Sequence, residues 1–460
     1  MTAQARKPWQ KPVLTPHRAG GPSKFGNQKH RQYKTEIDGV AIEELLGKYG
    51  SPLFVLSENR LRDNARRLLR SFRTRYPRVR YGWSYKTNYL NAVCNTLHQE
   101  GAWAEVVSEF EYAKARKLGV PGSRIIFNGP HKPRLALERA AIEGALIHLD
   151  NLDELFLLED VARSLKRTIP VALRLNFDTG YHEAWSRFGF NVESEAAHDA
   201  ARRIAAAGLL KLTGLHSHIG TFVLDPRAYA AQIKIMAQFM NFAERETGAH
   251  IEYLDIGGGF ASRNALQGIY LPPDQAVPSI EQYAETIAQA MMEAVRGRKD
   301  WPWLILESGR AVVDDAESLI ASVVGSKRLP DGRKSLILDA GVNLMFTAYW
   351  YHHDCQPTRL VEGVAEETVL YGPLCMNIDV MRASVWLPPL GIGDSVVFNP
   401  VGAYNNTQWQ QFIEYRPSIV MVHENGDVSE VRAPETLETM LSLERLPERL
   451  ANPFPQGTPE

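Results

Sequence analysis

A lysine, a histidine, a glycine cluster and a carboxylate stand at the ends of apolar, strand-like runs in this 460-residue sequence. Lys86 ends the run VRYGWSYK, and His218 lies in LKLTGLHSHIG. Three glycines, 257–259, end IEYLDIGGG, and Glu307 follows PWLIL. A lysine amine can attack a carbonyl group, and consecutive glycines let backbone N–H groups approach a phosphate closely. Taken one at a time, a solvated lysine and an ordinary glycine turn are the simpler explanations.

The segment Glu307-Ser-Gly-Arg310 adds a second glycine turn beside a carboxylate and a guanidinium. Alone it would be read as a surface ion pair. Pyridoxal 5'-phosphate uses all of these groups together: a lysine for the Schiff base, a carboxylate at the ring nitrogen, a phosphate cradle and a group against the ring face. We therefore predict this cofactor, with Lys86 forming the imine, Glu307 at the ring nitrogen and His218 over the ring.

The elements that must position these groups are eight strand-like runs that alternate with amphipathic, helix-like stretches before residue 310. The runs are VRYGWSYK, AWAEVVS, RIIFN, ALIHLDN, PVALRLNF, LKLTGLHSHIG, IEYLDIGGG and PWLILESG. Eight such units in this length match a (β/α)8 barrel, in which reacting groups gather at the carboxyl ends of the strands. An open, doubly wound sheet is the alternative, because periodicity does not distinguish it from a closed one.

The sequence after residue 310 is rich in strand patterns and turn pairs, which predicts a second domain that is mostly β. We expect an extended N-terminal arm over residues 1–35 and a segment 36–55 that joins the β domain, because an early strand often pairs with a late one. The barrel is then predicted over 56–310 and the β domain over 311–460.

Composition favours small-molecule chemistry in a reducing compartment. The net charge is -1, with 52 basic and 53 acidic residues, so no overall field attracts nucleic acid or anionic membranes. Three cysteines are too few and too far apart for a disulfide framework or a zinc site. No secretion signal or membrane-length apolar segment is found, so a cytoplasmic protein without membrane or nucleic-acid partners is expected.

Six motifs in order resemble those of the fold-type III pyridoxal-phosphate decarboxylases, the diaminopimelate and ornithine decarboxylase family. They are YKTN at Lys86, HSHIGT at His218, DIGGGF, ESGR, GPLC at 372–375 and GAY at 402–404. The resemblance implies a barrel, a C-terminal β domain and a homodimer whose active sites are shared. It implies catalytic roles for Lys86, His218 and Cys375, the last being a proton donor from the second subunit. The cofactor-binding residues it implies are Lys86, His218, Thr221, Gly257, Gly258, Gly259, Glu307, Gly309, Arg310 and Tyr404.

The substrate end departs from the family's pattern. Met376 follows the GPLC cysteine, where the diaminopimelate members carry glutamate and the ornithine members aspartate, and Phe346 lies near the position of an arginine that grips the far carboxylate. We therefore predict α-decarboxylation of a diamino monocarboxylic acid such as lysine or ornithine, including the D enantiomer. Asp379 or Asp354 would hold its distal ammonium, or form a structural ion pair instead. The alternative substrate is meso-diaminopimelate, with lysine as the product.

Three other kinds of protein are alternatives to a decarboxylase. A non-catalytic binding relative would have eroded cofactor residues, but these are intact here. A hydrolase with paired carboxylates would need two acids at neighbouring strand ends, and only Glu307 is clearly placed there. A racemase with the same barrel and cofactor is disfavoured by the GPLC and ESGR segments.

Overall fold

The computed structural model describes residues 33–269 and 271–453 and contains a closed barrel of eight parallel strands. Closure follows from the strand pairing, because the sixth strand pairs with both the fifth and the seventh, and the eighth pairs with the first. The predicted barrel is confirmed. Its strands are Val79–Ser84, Trp103–Val106, Ile125–Phe127, Leu146–Leu149, Ile169–Asn176, Leu210–His216, Tyr253–Asp255 and Trp303–Leu306.

Helices surround the barrel, and four of them begin at a serine or asparagine whose side chain accepts a backbone N–H of the first turn. These caps satisfy donors that a helix start otherwise leaves unpaired. The barrel helices are Glu58–Arg73, Asn91–Gln99, Glu109–Lys117, Arg134–Glu143, Leu152–Leu165, Ala196–Ala207, Arg227–Thr247 and Ile280–Ala294, with shorter helices at Tyr85–Thr87, Gly122–Arg124, Pro273–Ala276, Arg310–Val313 and Asp314–Ala316. The short strand Phe190–Asn191 pairs in parallel with the end of the fifth barrel strand.

The second sheet is mostly antiparallel and is built around the long strand Glu317–Arg328. Leu53–Ser57, from before the barrel, lies between this strand and Ile419–Val422, pairing antiparallel with the first and parallel with the second. The remaining strands are Lys334–Leu338, Asp354–Pro357, Glu366–Tyr371, Val380–Leu387, Ser395–Asn399 and Val428–Arg432. The predicted mostly β domain is confirmed.

Smaller elements complete the described chain. They are the ribbon Glu36–Ile37 and Val40–Ala41, the helices Ile42–Tyr49, Asn405–Gln408 and Leu437–Leu441, and the 3-10 turns Phe346–Tyr349 and Glu448–Leu450. Residues 1–32 of the predicted N-terminal arm lie outside the described residues. Within the described chain, no helix combines the length and the apolar character needed to cross a membrane.

The β domain is hydrogen-bonded to the barrel at the carboxyl ends of its strands. The Tyr404 N–H donates to the Thr87 carbonyl at 2.8 Å, and the Thr407 hydroxyl donates to the Lys86 carbonyl at 2.8 Å. The turn that carries Lys86 is therefore held by two hydrogen bonds from the β domain, which orients the Lys86 side chain.

Candidate active site

A cavity of about 720 Å³ opens at the carboxyl ends of the barrel strands and is closed on one side by the β domain. Most of the residues predicted for the cofactor meet there, although they are spread over more than 300 positions of the sequence. The predicted residues that line the cavity are Lys86, His218, Thr221, Gly258, Gly259, Glu307, Gly309, Arg310 and Tyr404.

Lys86 lies in the turn Tyr85–Thr87 after the first barrel strand, and 39 % of its side chain is accessible from the cavity. Its Nζ donates to Glu105 Oε2 at 2.8 Å. Burial lowers the pKa of Lys86, but the charges of Glu105 and Glu307 outweigh it and leave the pKa above its usual range. Glu105 also accepts from the Ser84 hydroxyl at 2.5 Å.

Glu307 is buried directly after the eighth strand. Its Oε1 accepts a hydrogen bond from Asn128 Nδ2 at 2.5 Å, and its Oε2 lies 3.4 Å from His216 Nε2. Burial, together with the charge of Glu307, raises the pKa of the neighbouring Asp255 well above its usual range. A carboxyl whose pKa is raised in this way keeps its proton to higher pH, so Asp255 can serve as a hydrogen-bond donor.

The glycine segment after the seventh strand forms a cradle that side chains would fill. Gly257 and Gly259 have φ angles of 69° and 96°, which favour glycine, and a Cβ at Gly259 would lie 2.3 Å from the Gly220 carbonyl oxygen. Arg310 Nε is buried without a partner among the described residues. Narrow glycine walls, a free guanidinium donor and a cavity-facing amine fit pyridoxal 5'-phosphate.

His218 lies beside this cradle. Its Nδ1 accepts the Gly258 N–H at 3.1 Å, and the edge of its ring meets Trp185 with centroids 5.4 Å apart. Burial, followed by the charges of Lys86 and Arg174, lowers the pKa of His218 well below its usual range. The imidazole is therefore neutral, which suits packing against a ring.

The residues predicted for the substrate do not line the cavity of their own protomer. Asp379 is buried, and its carboxylate accepts the backbone N–H groups of Val342 and Leu374 at 2.8 Å each. It thus shapes the loop that leads to Cys375, and no ion pair of Asp379 is found among the described residues. Asp354 accepts from Gln356 Nε2 at 3.0 Å on the strand Asp354–Pro357.

The other substrate predictions fall on two surfaces outside the cavity. Phe346 packs edge-on against Tyr349 and Trp350, so its neighbour Thr347 reaches the cavity and Phe346 does not. Cys375 is exposed, and Met376 is half-buried.

Sequence reasoning missed several cavity residues. The sequence analysis assigns no role to Glu105, although Glu105 accepts a hydrogen bond from the Lys86 amine. The position of Glu105 near the end of the second strand is the signal that could have identified it. Several others belong to segments without periodicity, and only contact in the folded chain identifies them. They are Trp185, Arg187, Phe188, Leu266, Thr347, Trp350 and Tyr351.

A barrel of this kind, with a lysine and a carboxylate facing a glycine cradle, defines a pyridoxal-phosphate enzyme. Residues 62–314 match the family model described as "Pyridoxal-dependent decarboxylase, pyridoxal binding domain". The chain belongs to this family and is a carboxy-lyase that uses pyridoxal 5'-phosphate.

Similar proteins extend the match across nearly the whole chain. The chain is 30 % identical over 432 residues to a diaminopimelate decarboxylase of Methanothermobacter thermautotrophicus, covering 90 % of this chain and 96 % of that one. The diaminopimelate decarboxylase of Methanocaldococcus jannaschii, in co-complex with L-lysine, superposes with a TM-score of 0.83 at 27 % identity, covering 90 % of this chain and 96 % of that one. A lysine/ornithine decarboxylase from Vibrio vulnificus shares the fold, with a TM-score of 0.70 at 24 % identity, covering 84 % of this chain and 98 % of that one.

Proposed function

We propose that this enzyme decarboxylates an amino acid with a second, distal carboxylate, and that meso-diaminopimelate is the substrate and L-lysine the product. The observation that carries the proposal is the charge of the cavity wall. Its carboxylates are Glu105, which binds Lys86, and Glu307, which lies at the barrel centre. Neither is free to bind the distal ammonium that lysine, ornithine and meso-diaminopimelate all carry, so only a charge that recognises a distal carboxylate separates these substrates.

A cation is available at the same wall. Arg187 lines the cavity, is exposed, and makes no hydrogen bond or ion pair within the described part of the chain. Its guanidinium lies 5.2 Å from the Phe188 ring centroid, which leaves the N–H edge open for a carboxylate. The diaminopimelate decarboxylases among the relatives support the same substrate class.

The cavity residues supply the steps of an α-decarboxylation. Lys86 would hold the cofactor through its amine, and the same amine would serve to release the product. Pyridoxal 5'-phosphate, when bound, accepts the electrons left by departing carbon dioxide, and Glu307 keeps its ring nitrogen protonated. Trp185 and Phe188 exclude water near the reacting carboxylate, which favours loss of its charge.

The exposed Cys375 is proposed to protonate the substrate carbon in the active site of a second copy of the chain. Its exposure leaves the thiol accessible to a partner, and the Asp379 hydrogen bonds hold its loop in shape. The protein would then be a homodimer with two shared sites.

The substrate test compares carbon dioxide release from meso-diaminopimelate, D-lysine, L-lysine and both ornithines. We expect meso-diaminopimelate to be preferred, and Arg187→Gln to raise its KM about 10- to 100-fold, since a charged hydrogen bond is lost. Arg187→Lys should restore part of the affinity. Preference for a monocarboxylic diamine, with no effect of Arg187→Gln, would reject this substrate.

A lysine or ornithine substrate remains the second candidate because Met376 and Thr347 offer no charge for a far carboxylate.

The shared site has a separate test. Lys86→Ala and Cys375→Ala are each expected to be inactive, whereas mixed and refolded subunits should recover up to about a quarter of the activity, because half of the dimers then carry one intact site. No recovery would reject the shared site.

A further inference from the structure

Two histidines lie buried in the barrel beneath the cavity with no hydrogen-bond partner for any of their four ring nitrogens among the described residues. His148 belongs to the fourth strand, and His216 ends the sixth. Their ring centroids are 4.9 Å apart, and His148 also stacks on Tyr253 at 5.7 Å. Buried polar atoms are nearly always paired, so this cluster requires a physical explanation.

Both imidazoles are neutral. Burial lowers the pKa of each well below its usual range, and the next contributions are the proximity of His216 for His148 and the charge of Arg174 for His216. A neutral imidazole carries one N–H. The carboxylate closest to the His216 ring is Glu307, whose Oε2 lies 3.4 Å from Nε2, slightly beyond standard hydrogen-bond length and within reach of a small ring rotation.

Asp255 is a second neutral neighbour of Glu307. Its Oδ1 accepts the Gly257 N–H at 2.9 Å, while its Oδ2 is buried without a partner among the described residues. Since Asp255 retains its proton beside Glu307, it too can donate a hydrogen bond.

Each of the other seven barrel strands brings a charged or polar group towards Glu307. These groups are Lys86, Glu105, Asn128, His148, Arg174, His216 and Asp255. The cations lie towards Glu105 and Asp150, with which Lys86 and Arg174 pair. The donors nearest to Glu307 are all neutral.

We propose that His216 and Asp255 are positioning residues that, together with Asn128, orient the Glu307 carboxylate through hydrogen-bond donors. Neutral donors stabilise the carboxylate without a positive charge that would compete with the ring nitrogen for it. The His148 ring lies tilted against the His216 ring and restrains its orientation. The inference rests on the proposed function, in which Glu307 faces the ring nitrogen.

A bound metal ion is the competing explanation, since ligand atoms of His148, His216 and Glu307 lie within 4.8 Å of one another. The positive charges of Arg174, Lys86 and Lys132 act on this cluster and oppose a divalent cation there. A metal would also occupy the carboxylate assigned to the ring nitrogen.

The test is a pH titration of the visible spectrum of the purified holoenzyme. Removing a donor destabilises the carboxylate form of Glu307, so the acid-side change of the visible spectrum should move to higher pH. We expect His216→Phe to move the acid-side midpoint up by about one unit, and His216→Gln, which keeps an N–H donor, to restore it. Asp255→Asn replaces one neutral donor by another and should leave the midpoint in place. If His216→Phe does not fold, His216→Met carries the same expectation.

Three results would overturn the inference. They are an unchanged midpoint in His216→Phe with only a lower melting temperature, a large shift in Asp255→Asn, and stoichiometric zinc in the purified protein. Glu307→Gln separates the inference from the proposed function. If Glu307→Gln keeps the wild-type spectrum and midpoint, Glu307 is rejected as the ring-nitrogen partner. If Glu307→Gln changes the spectrum but His216→Phe leaves the midpoint unchanged, only the positioning role is rejected.

Discussion

Replacing Glu105 by glutamine should make the apoenzyme capture its cofactor faster. Glutamine has the same shape but no charge, so the Lys86 amine loses the carboxylate at 2.8 Å that stabilises its protonated form. At this separation Coulomb's law gives ~1.5 kcal/mol at the dielectric constant of water and ~6 kcal/mol at an effective value of 20. Because 39 % of the Lys86 side chain is accessible, solvent screening favours the lower figure.

A loss of ~1.5 kcal/mol lowers the pKa of Lys86 by about one unit, and the fraction of unprotonated amine at neutral pH rises about tenfold. The assay mixes the apoenzyme with saturating pyridoxal 5'-phosphate in a stopped-flow instrument and follows the visible band between pH 7 and 10. The first-order rate in Glu105→Gln should exceed that of the wild type by about tenfold throughout this pH range.

Glu111→Gln is the matched control. Glu111 is a nearby buried glutamate, and burial raises its pKa to about 7, but it accepts a hydrogen bond from the Val107 N–H rather than from Lys86. The control should leave the capture rate close to that of the wild type. Equal or slower capture by Glu105→Gln, with normal cofactor affinity, would refute the electrostatic reasoning about the Lys86 amine.

Three further outcomes are expected. Gly259→Ala should cost about 2 kcal/mol or more in unfolding free energy and weaken cofactor binding, whereas Gly268→Ala, which has positive φ but open space around it, should cost only about 1 kcal/mol. Equal effects in calorimetry and cofactor titration would contradict this. Burial raises the pKa of Glu317 to about 8, so the folded state retains a proton that the unfolded state releases near pH 4.5. Stability is therefore lost as pH rises from about 4.5 to 8, by on the order of 5 kcal/mol, and Glu317→Gln should abolish this slope in urea unfolding curves. Finally, the Cys375 thiol should react with a disulfide reagent more slowly at high protein concentration, where dimers cover it; a rate independent of concentration would argue against a covered thiol.

The barrel and its cofactor could be predicted because both follow local rules. Apolar runs form the strands, and groups at the carboxyl ends of those strands converge, so Lys86, His218 and Glu307 meet in one cavity. The residues proposed or predicted to bind the substrate follow no such rule. Arg187 comes from a loop without a repeating pattern, and Asp379 looks like a free carboxylate in the sequence but is used by two backbone N–H groups. Only the folded chain distinguishes a carboxylate that is available from one that is already hydrogen-bonded.

The position of the strand Leu53–Ser57 has a consequence for how the protein is made. The strand is synthesised before the barrel, yet it lies between Glu317–Arg328 and Ile419–Val422, which leave the ribosome much later. During translation its edges stay unpaired while the barrel is completed, and unpaired edges invite association with other chains. We therefore expect nascent or C-terminally truncated chains to depend on chaperones far more than the finished enzyme does.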